Sequence, residues 1–220
     1  NSLLELAALG TIADMMPREA ENIHIIEEGI EAFENSWRPG IRAFLELQEF
    51  QDIVSIDQKI YQIISVLYVR DVENGLPGAY RILTSQEQVD AMEMVKDFME
   101  QNKVRKEKIQ DLAEKVRVRI AKENLPIVFQ GGEDFEYMLL PSVSSIISNE
   151  TEKPTFIYNQ GETESIGSVR APSGYDTVDA MAPSEDFLVS FGGHPQASGF
   201  RVKNEDLEKL RLNLIEYFNK

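Results

Sequence analysis

His194 is one of only two histidines in this 220-residue chain. The run FGGHPQASGF, residues 191 to 200, puts Gly192 and Gly193 directly before it and Ala197, Ser198 and Gly199 just after. Paired glycines let a backbone turn tightly and leave N–H groups open to an anion. A histidine beside them can hydrogen-bond to a phosphate or pair with its charge. The small residues permit close packing or the close approach of a ligand. The same letters also spell a glycine-rich turn with an incidental histidine, and spacing alone does not separate the two.

Two further stretches carry candidate chemistry. In SIGSVRAPSGYD, Ser168 and Arg170 lie two apart. On a strand they share a face, where a hydroxyl and a bidentate guanidinium could grip a phosphate. A surface strand with an ordinary charge reads the same way. In ALGTIADMMP, Asp14 follows an apolar stretch and precedes a proline turn. A carboxylate there suits a metal ligand, and equally a helix or turn cap. The other histidine, His24, sits between isoleucines in a helical pattern and reads as a surface or core residue. The chain contains no phosphate-binding P-loop, dinucleotide fingerprint, nucleophile elbow or His-x-x-x-His pair.

The elements that must hold these residues fall into two kinds. Up to about residue 84 the pattern is helical. Ile23, Ile26, Ile30 and Phe33 recur at spacings of three and four, and the WRPG run at residues 37 to 40 breaks them. Short helices are expected over residues 2–9, 41–50 and 57–67. Residues 70–83 read as turns, with Asn74-Gly75 and Pro77-Gly78. Ser85 and Gln88 form the letters of a capping box. A long amphipathic helix of about 35 residues is expected to follow, spanning roughly 50 Å. Beyond residue 123 the pattern changes to short strands (PIVFQ, TFIYNQ, SIGSVRAP, ASGFRV) and short helices, ending in a helix capped by Asn204. The expected class is mixed α/β.

Composition bounds the function. The formal net charge is −16, which disfavours a uniform nucleic-acid surface. Residues 96–122 run against it, with nine basic and five acidic residues. They read as a solvated helix face or, more sharply, as a phosphate-contacting one. Cysteine is absent, so disulfides and thiolate metal sites are excluded. No apolar run approaches the roughly 18 residues of a membrane helix, and a cytoplasmic location is expected. The first residue is asparagine and the opening segment reads as the middle of a folded element. The chain is therefore expected to be a piece of a longer protein.

Taken together, LAALGTIADMMPREAENIHIIEEGIEAF with PGIRAFLEL resembles the end of the catalytic domain of RecJ-type single-strand-specific exonucleases. SIGSVRAPSGYDTVDAM and FGGHPQASGF resemble the DHHA1 domain of the same DHH phosphoesterase superfamily. The resemblance implies three parts: the C-terminal part of an α/β DHH catalytic domain over 1–84, a long connecting helix over 85–122, and an α+β DHHA1 substrate-binding domain with a small mixed sheet over 123–220. It implies that Asp14 is a ligand to a Mn²⁺ or Mg²⁺ pair that activates water. Ser168, Arg170, Gly192, Gly193 and His194 would form the substrate-gripping side, facing the metals across a cleft whose width the long helix sets.

The chain departs from the family pattern in places. The Asp-His-His run and its companion ligands are not in it, nor are the family's Gly-Pro-Arg, Asn-Ala-x-Gly-Arg and Trp-His-x-Gly runs. The activity implied for the parent is metal-dependent, 5′-to-3′ hydrolysis of single-stranded nucleic acid in repair or recombination, with the isolated chain inactive. Two alternatives stay open. One is a phosphodiesterase of short oligonucleotides or cyclic dinucleotides, and the other is a catalytically degenerate nucleic-acid-binding scaffold. Single-stranded DNA or short oligonucleotides are the expected partners, with no membrane.

Overall fold

In the computed structural model, residues 3–219 are described. Residues 1, 2 and 220 lie outside the described residues, so the helix expected from residue 2 is seen from Leu4. The chain divides into two compact units at Val104/Arg105.

The first unit is helical. It runs α1 (Leu4–Ala13), α2 (Ala20–Glu34), α3 (Pro39–Leu45), α4 (Gln48–Gln51) and α5 (Ile56–Leu67). A hairpin, β1 (Val72–Glu73) with β2 (Leu76–Pro77), and α6 (Gly78–Thr84) follow. The core gathers Phe33, Phe44, Phe50, Ile63 and Phe98, each no more than 1% exposed. Ser55 caps α5 by accepting from the Gln58 N–H. Ile60, Ile63 and Ile64 on that helix turn inward at the expected spacing. Glu5 is buried and accepts from Arg38 Nε at 2.5 Å, so its charge is matched inside the unit.

Several expectations for this unit are corrected. Residues 41–50 are two helices rather than one. Residues 72–77 form a hairpin, because Asn74 and Gly75 both take positive φ (52° and 78°), the signature of a type I′ turn. Helix α6 follows directly and was hidden by its proline–glycine start. The Ser85–Gln88 capping box does not form. Ser85 Oγ donates to the Glu87 carbonyl, and the Gln88 amide reaches Glu46 instead.

Helix α7 (Gln88–Ile120) is 33 residues long. Its first half contributes Ala91, Val95 and Phe98 to the first core. Its second half contributes Ile109, Leu112, Ala113 and Val116 to a cluster in the second unit.

The second unit is α+β. Its elements are β3 (Val128–Gly132), α8 (Leu140–Thr151), β4 (Thr155–Gln160), β5 (Glu164–Arg170), α9 (Thr177–Met181), β6 (Leu188–His194), β7 (Ala197–Lys203) and α10 (Leu207–Phe218). They build one five-stranded sheet in the order β3-β4-β5-β7-β6. The β3–β4 pair is parallel and the rest are antiparallel. One face is covered over β4 and β5 by α8, with Val128, Ile157, Val143 and Ile147 between them. The other face carries Phe129, Phe156, Val169, Phe200 and Val202, packed with residues of α9 and α10. Helix α8 lies in a segment that gave no helical reading from the sequence. Asn204 does not cap the last helix. Its side chain bridges the carbonyls of Gly161 and Glu162 and accepts from Ser165 Oγ at 2.8 Å.

Four of the nine basic residues in the run at 96–122 are tied down within this unit. Lys108 pairs with Glu136 and Lys115 with Asp134. Arg117 makes a two-pronged contact with Glu150 and also meets Glu114. Arg119 donates to the Gly131 carbonyl and lies over the Phe135 ring. These four cations tie the helix to its own unit, which argues against the phosphate-contacting reading of that face.

Arg117 holds the Glu150 carboxyl below its usual value by direct hydrogen bonds. A carboxylate lowered in the fold stabilises it above the unfolded value, and that contribution disappears as pH falls through the folded value. The pair is partly exposed, so it is worth about 0.2–1 kcal/mol. Thermal unfolding of Glu150→Gln should therefore fall slightly below wild type near neutral pH. The difference should close as pH drops below the usual glutamate value of 4.5.

Candidate anion-binding site

The sheet register brings the candidate residues of the second unit together. Residues directly opposite each other across antiparallel strands share a face. Arg170 on β5 lies opposite Ala197 on β7, and Ala197 lies opposite His194 on β6. The next row, two residues along each strand, is Ser168, Gly199 and Gly192. Two rows of three therefore occupy one face, with Arg170 and Ser168 on one side and His194 and Gly192 on the other. The strip between them is alanine and glycine. Arg170 and His194 are two strand spacings apart, about 10 Å at the backbone. Both side chains are long enough to lean over that strip.

The glycine-rich run before His194, open to a turn reading, is thus strand. Gly192, Gly193 and His194 end β6, and only Pro195 and Gln196 turn before β7 begins. The glycines differ in cause. Gly193 has φ 136°, and a Cβ there would stand 2.6 Å from the Ala197 carbonyl oxygen. Backbone geometry demands that glycine. Gly192 also takes a positive φ (154°) that disfavours a side chain, but a Cβ there would meet nothing within 4 Å, so that position borders open space. The small residues also divide. Ala197 and Gly199 lie on the open face, whereas Ser198 points to the opposite one.

Arg170 carries the electrostatics. It is half-buried, and burial pushes its guanidinium pKa down. Nη1 donates to the Val169 carbonyl at 2.8 Å and reaches Ser168 Oγ at a long 3.5 Å. Among the described residues no carboxylate pairs with it. A partly desolvated cation with spare donors is costly unless an anion faces it. Ser168 is 8% exposed, and its hydroxyl lies 3.5 Å from that of Ser144 on α8. His194 is exposed at the end of its strand.

Residues not singled out from the sequence hold this arrangement. The Thr177 N–H and Oγ both donate to the Pro195 carbonyl, at 2.9 and 2.8 Å. The Ala171 N–H donates to the Gln196 carbonyl at 3.1 Å. The DTVD letters do signal a helix start at Asp176, which accepts from the Val178 and Asp179 N–H groups. Nothing in them signals a partner 18 residues away.

Asp14 lies in the first unit, as the C-cap of α1. The helix stops there because Met15 takes the left-handed conformation (φ 51°), with its N–H bonded to the Ile12 carbonyl and that of Met16 to Thr11. The Asp14 side chain is exposed and no described residue pairs with it. A carboxylate at a helix C-terminus faces the negative end of the dipole, so a cation nearby would be favourable. Yet among the described residues no three His, Asp or Glu side chains converge as a metal site. One carboxylate is a single ligand where Mg²⁺ or Mn²⁺ needs several. These residues alone do not make a metal centre. Among the described residues, no helix is long and apolar enough to cross a membrane.

No family model matches the sequence. Over nearly its whole length, however, the chain is similar to single-stranded-DNA-specific exonucleases RecJ. It is 28% identical to that of Bacillus subtilis over 98% of the chain, and 27% identical to that of Thermus thermophilus over 90%. It spans only 28% and 29% of those two proteins. In fold it resembles the crystal structure of Thermus thermophilus RecJ with Mg²⁺, at TM-score 0.87 and 22% identity, covering 99% of this chain and 34% of that one. An exonuclease RecJ bound to manganese matches at TM-score 0.81 and 22% identity, covering all of this chain and 55% of that one.

The conformation of Gly193 yields a prediction. Gly193→Ala should destabilise the second unit by about 1–3 kcal/mol, the usual cost of a forbidden backbone conformation. Chemical denaturation of the variant beside wild type measures it.

Proposed function

We propose that this chain is the C-terminal part of a RecJ-like phosphodiesterase that hydrolyses single-stranded DNA, and that Arg170, His194, Ser168 and the glycines between them grip its phosphates. The observation that carries this reading is the half-buried, carboxylate-free guanidinium of Arg170, in one row with His194 across a strip of alanine and glycine. A planar donor on one side, an imidazole on the other and a floor without bulky side chains suit a phosphate. The similarity to RecJ exonucleases over 98% of the chain supports the same reading. Residues 1–84 would then be the end of the DHH catalytic domain, 85–122 the connecting helix, and 123–220 the DHHA1 domain.

Metal use is part of the proposal for the whole protein. Related RecJ structures hold Mg²⁺ or Mn²⁺. Asp14 would give such an ion one carboxylate from its exposed position at the end of α1, and the other ligands would come from outside this chain. What these residues do themselves is bind. Arg170 and His194 hold a phosphate over the floor, and Ser168 offers a hydroxyl at its edge.

The test is binding of a short single-stranded oligonucleotide at low salt. Arg170→Ala and His194→Ala should each weaken it by about 1–3 kcal/mol, the range for a hydrogen bond to a charged group. Wild-type affinity in both variants would sink the phosphate grip. The 220-residue chain should bind the strand without cutting it, with or without added Mn²⁺.

A further inference from the structure

The His194 turn is clamped from beneath the sheet, and the clamp has a direction. Thr177 has one hydroxyl proton. Its Oγ lies 2.8 Å from the Pro195 carbonyl, which can only accept. That proton therefore goes to Pro195. The Thr177 and Ser198 hydroxyls are 2.6 Å apart, so Ser198 must be the donor between them. The chain runs from Ser198 O–H to Thr177 Oγ, and from Thr177 O–H to Pro195 C=O. Thr177 is fully buried and Ser198 is 7% exposed, so water does not compete for these groups.

The backbone repeats the linkage. The Thr177 N–H donates to the same Pro195 oxygen, and the Ala171 N–H donates to the Gln196 carbonyl. Pro195 is the residue after His194, and Ala171 is the residue after Arg170. The two ends of the row are thereby tied through one two-residue turn, apart from the ladder itself. Asp176 already caps the start of α9 by accepting from two of its N–H groups. Thr177 is thus held in place before it bonds to the turn. Gly193 lies opposite Ser198 on the clamped side, where a side chain would crowd it.

We infer that Thr177 is a positioning residue of the anion site: its hydroxyl fixes the turn that aims His194 at the phosphate held by Arg170. This rests on reading the Arg170–His194 row as an anion site. The hydroxyl gives the turn its orientation, so its removal loosens His194 without touching a ligand-binding group.

The experiment compares Thr177→Val with Thr177→Ser, and both with Arg170→Ala. The readout is affinity of the 220-residue chain for a fluorescein-labelled, 5′-phosphorylated single-stranded oligonucleotide, well below the melting temperature. Thr177→Val should bind about fivefold more weakly, the effect of one lost hydrogen bond. Thr177→Ser, which restores the hydroxyl, should recover wild-type affinity. A merely architectural role would lower the melting temperature of Thr177→Val without moving affinity, and that result would overturn the inference while a weak Arg170→Ala leaves the site standing. Wild-type affinity in both Arg170→Ala and His194→Ala would remove the site and this inference with it. Amide hydrogen exchange on the wild type covers the case in which Thr177→Val does not fold. The oligonucleotide should slow exchange at Thr177 and Ala171, and unchanged rates at both would overturn the clamp.

Discussion

The pairing of β5 with β7 and of β7 with β6 is the constraint on which the rest depends. Side chains alternate along a strand, so a slip of one residue would turn Arg170 or His194 to the opposite face. The register is held from both sides. Below the sheet, Val169, Phe200 and Val202 are buried, and a slip would expose them. At the turn, Thr177 and Ala171 fix the carbonyls of Pro195 and Gln196. The large hydrophobic residues of one face thus set the position of the polar residues on the other.

The same sheet explains why the open face can carry a charge. Helix α8 packs over β4 and β5, leaving Arg170 only half-buried at the border. Its field is concentrated by the low-polarity surroundings, and among the described residues no carboxylate takes it up. Three cations in the second half of α7 differ from Arg170, because Lys108, Lys115 and Arg117 each have an acidic partner. Arg170 combines partial burial with the absence, among the described residues, of a carboxylate partner, which is what the proposed anion anchor requires.

Much of the fold was legible because long periodic patterns report burial directly. The long helix, α2, α5 and strands β4, β5 and β7 follow from apolar spacing and from proline and glycine punctuation. What was not legible depends on partners distant in sequence. Residues FGGH look like a loop from their glycines, yet they pair with β7 as an edge strand. Ser85 and Asn204 carry capping letters and bond elsewhere. Of the candidate residues, Ser168 and Arg170 share one face as their strand spacing allowed, and Gly192 and His194 join that face through a strand pairing their letters do not signal. The hydroxyl clamp at Thr177 escaped notice, since a threonine at a helix start has many ordinary reasons to be there. The position of Asp14 in the sequence suits a metal ligand or a cap; in the fold it is a C-cap with an exposed carboxylate, and among the described residues no metal-binding cluster forms.

The central claim is that one row of the sheet binds phosphate. Chemical-shift mapping by NMR tests it most directly, titrating the chain with a 5′-phosphorylated dinucleotide. The account predicts saturable shifts at the Arg170 side-chain N–H, the His194 ring and the amides of Gly192, Ala197 and Gly199, with the basic half of α7 unmoved. Saturable shifts confined to α7, with that row silent, would contradict it.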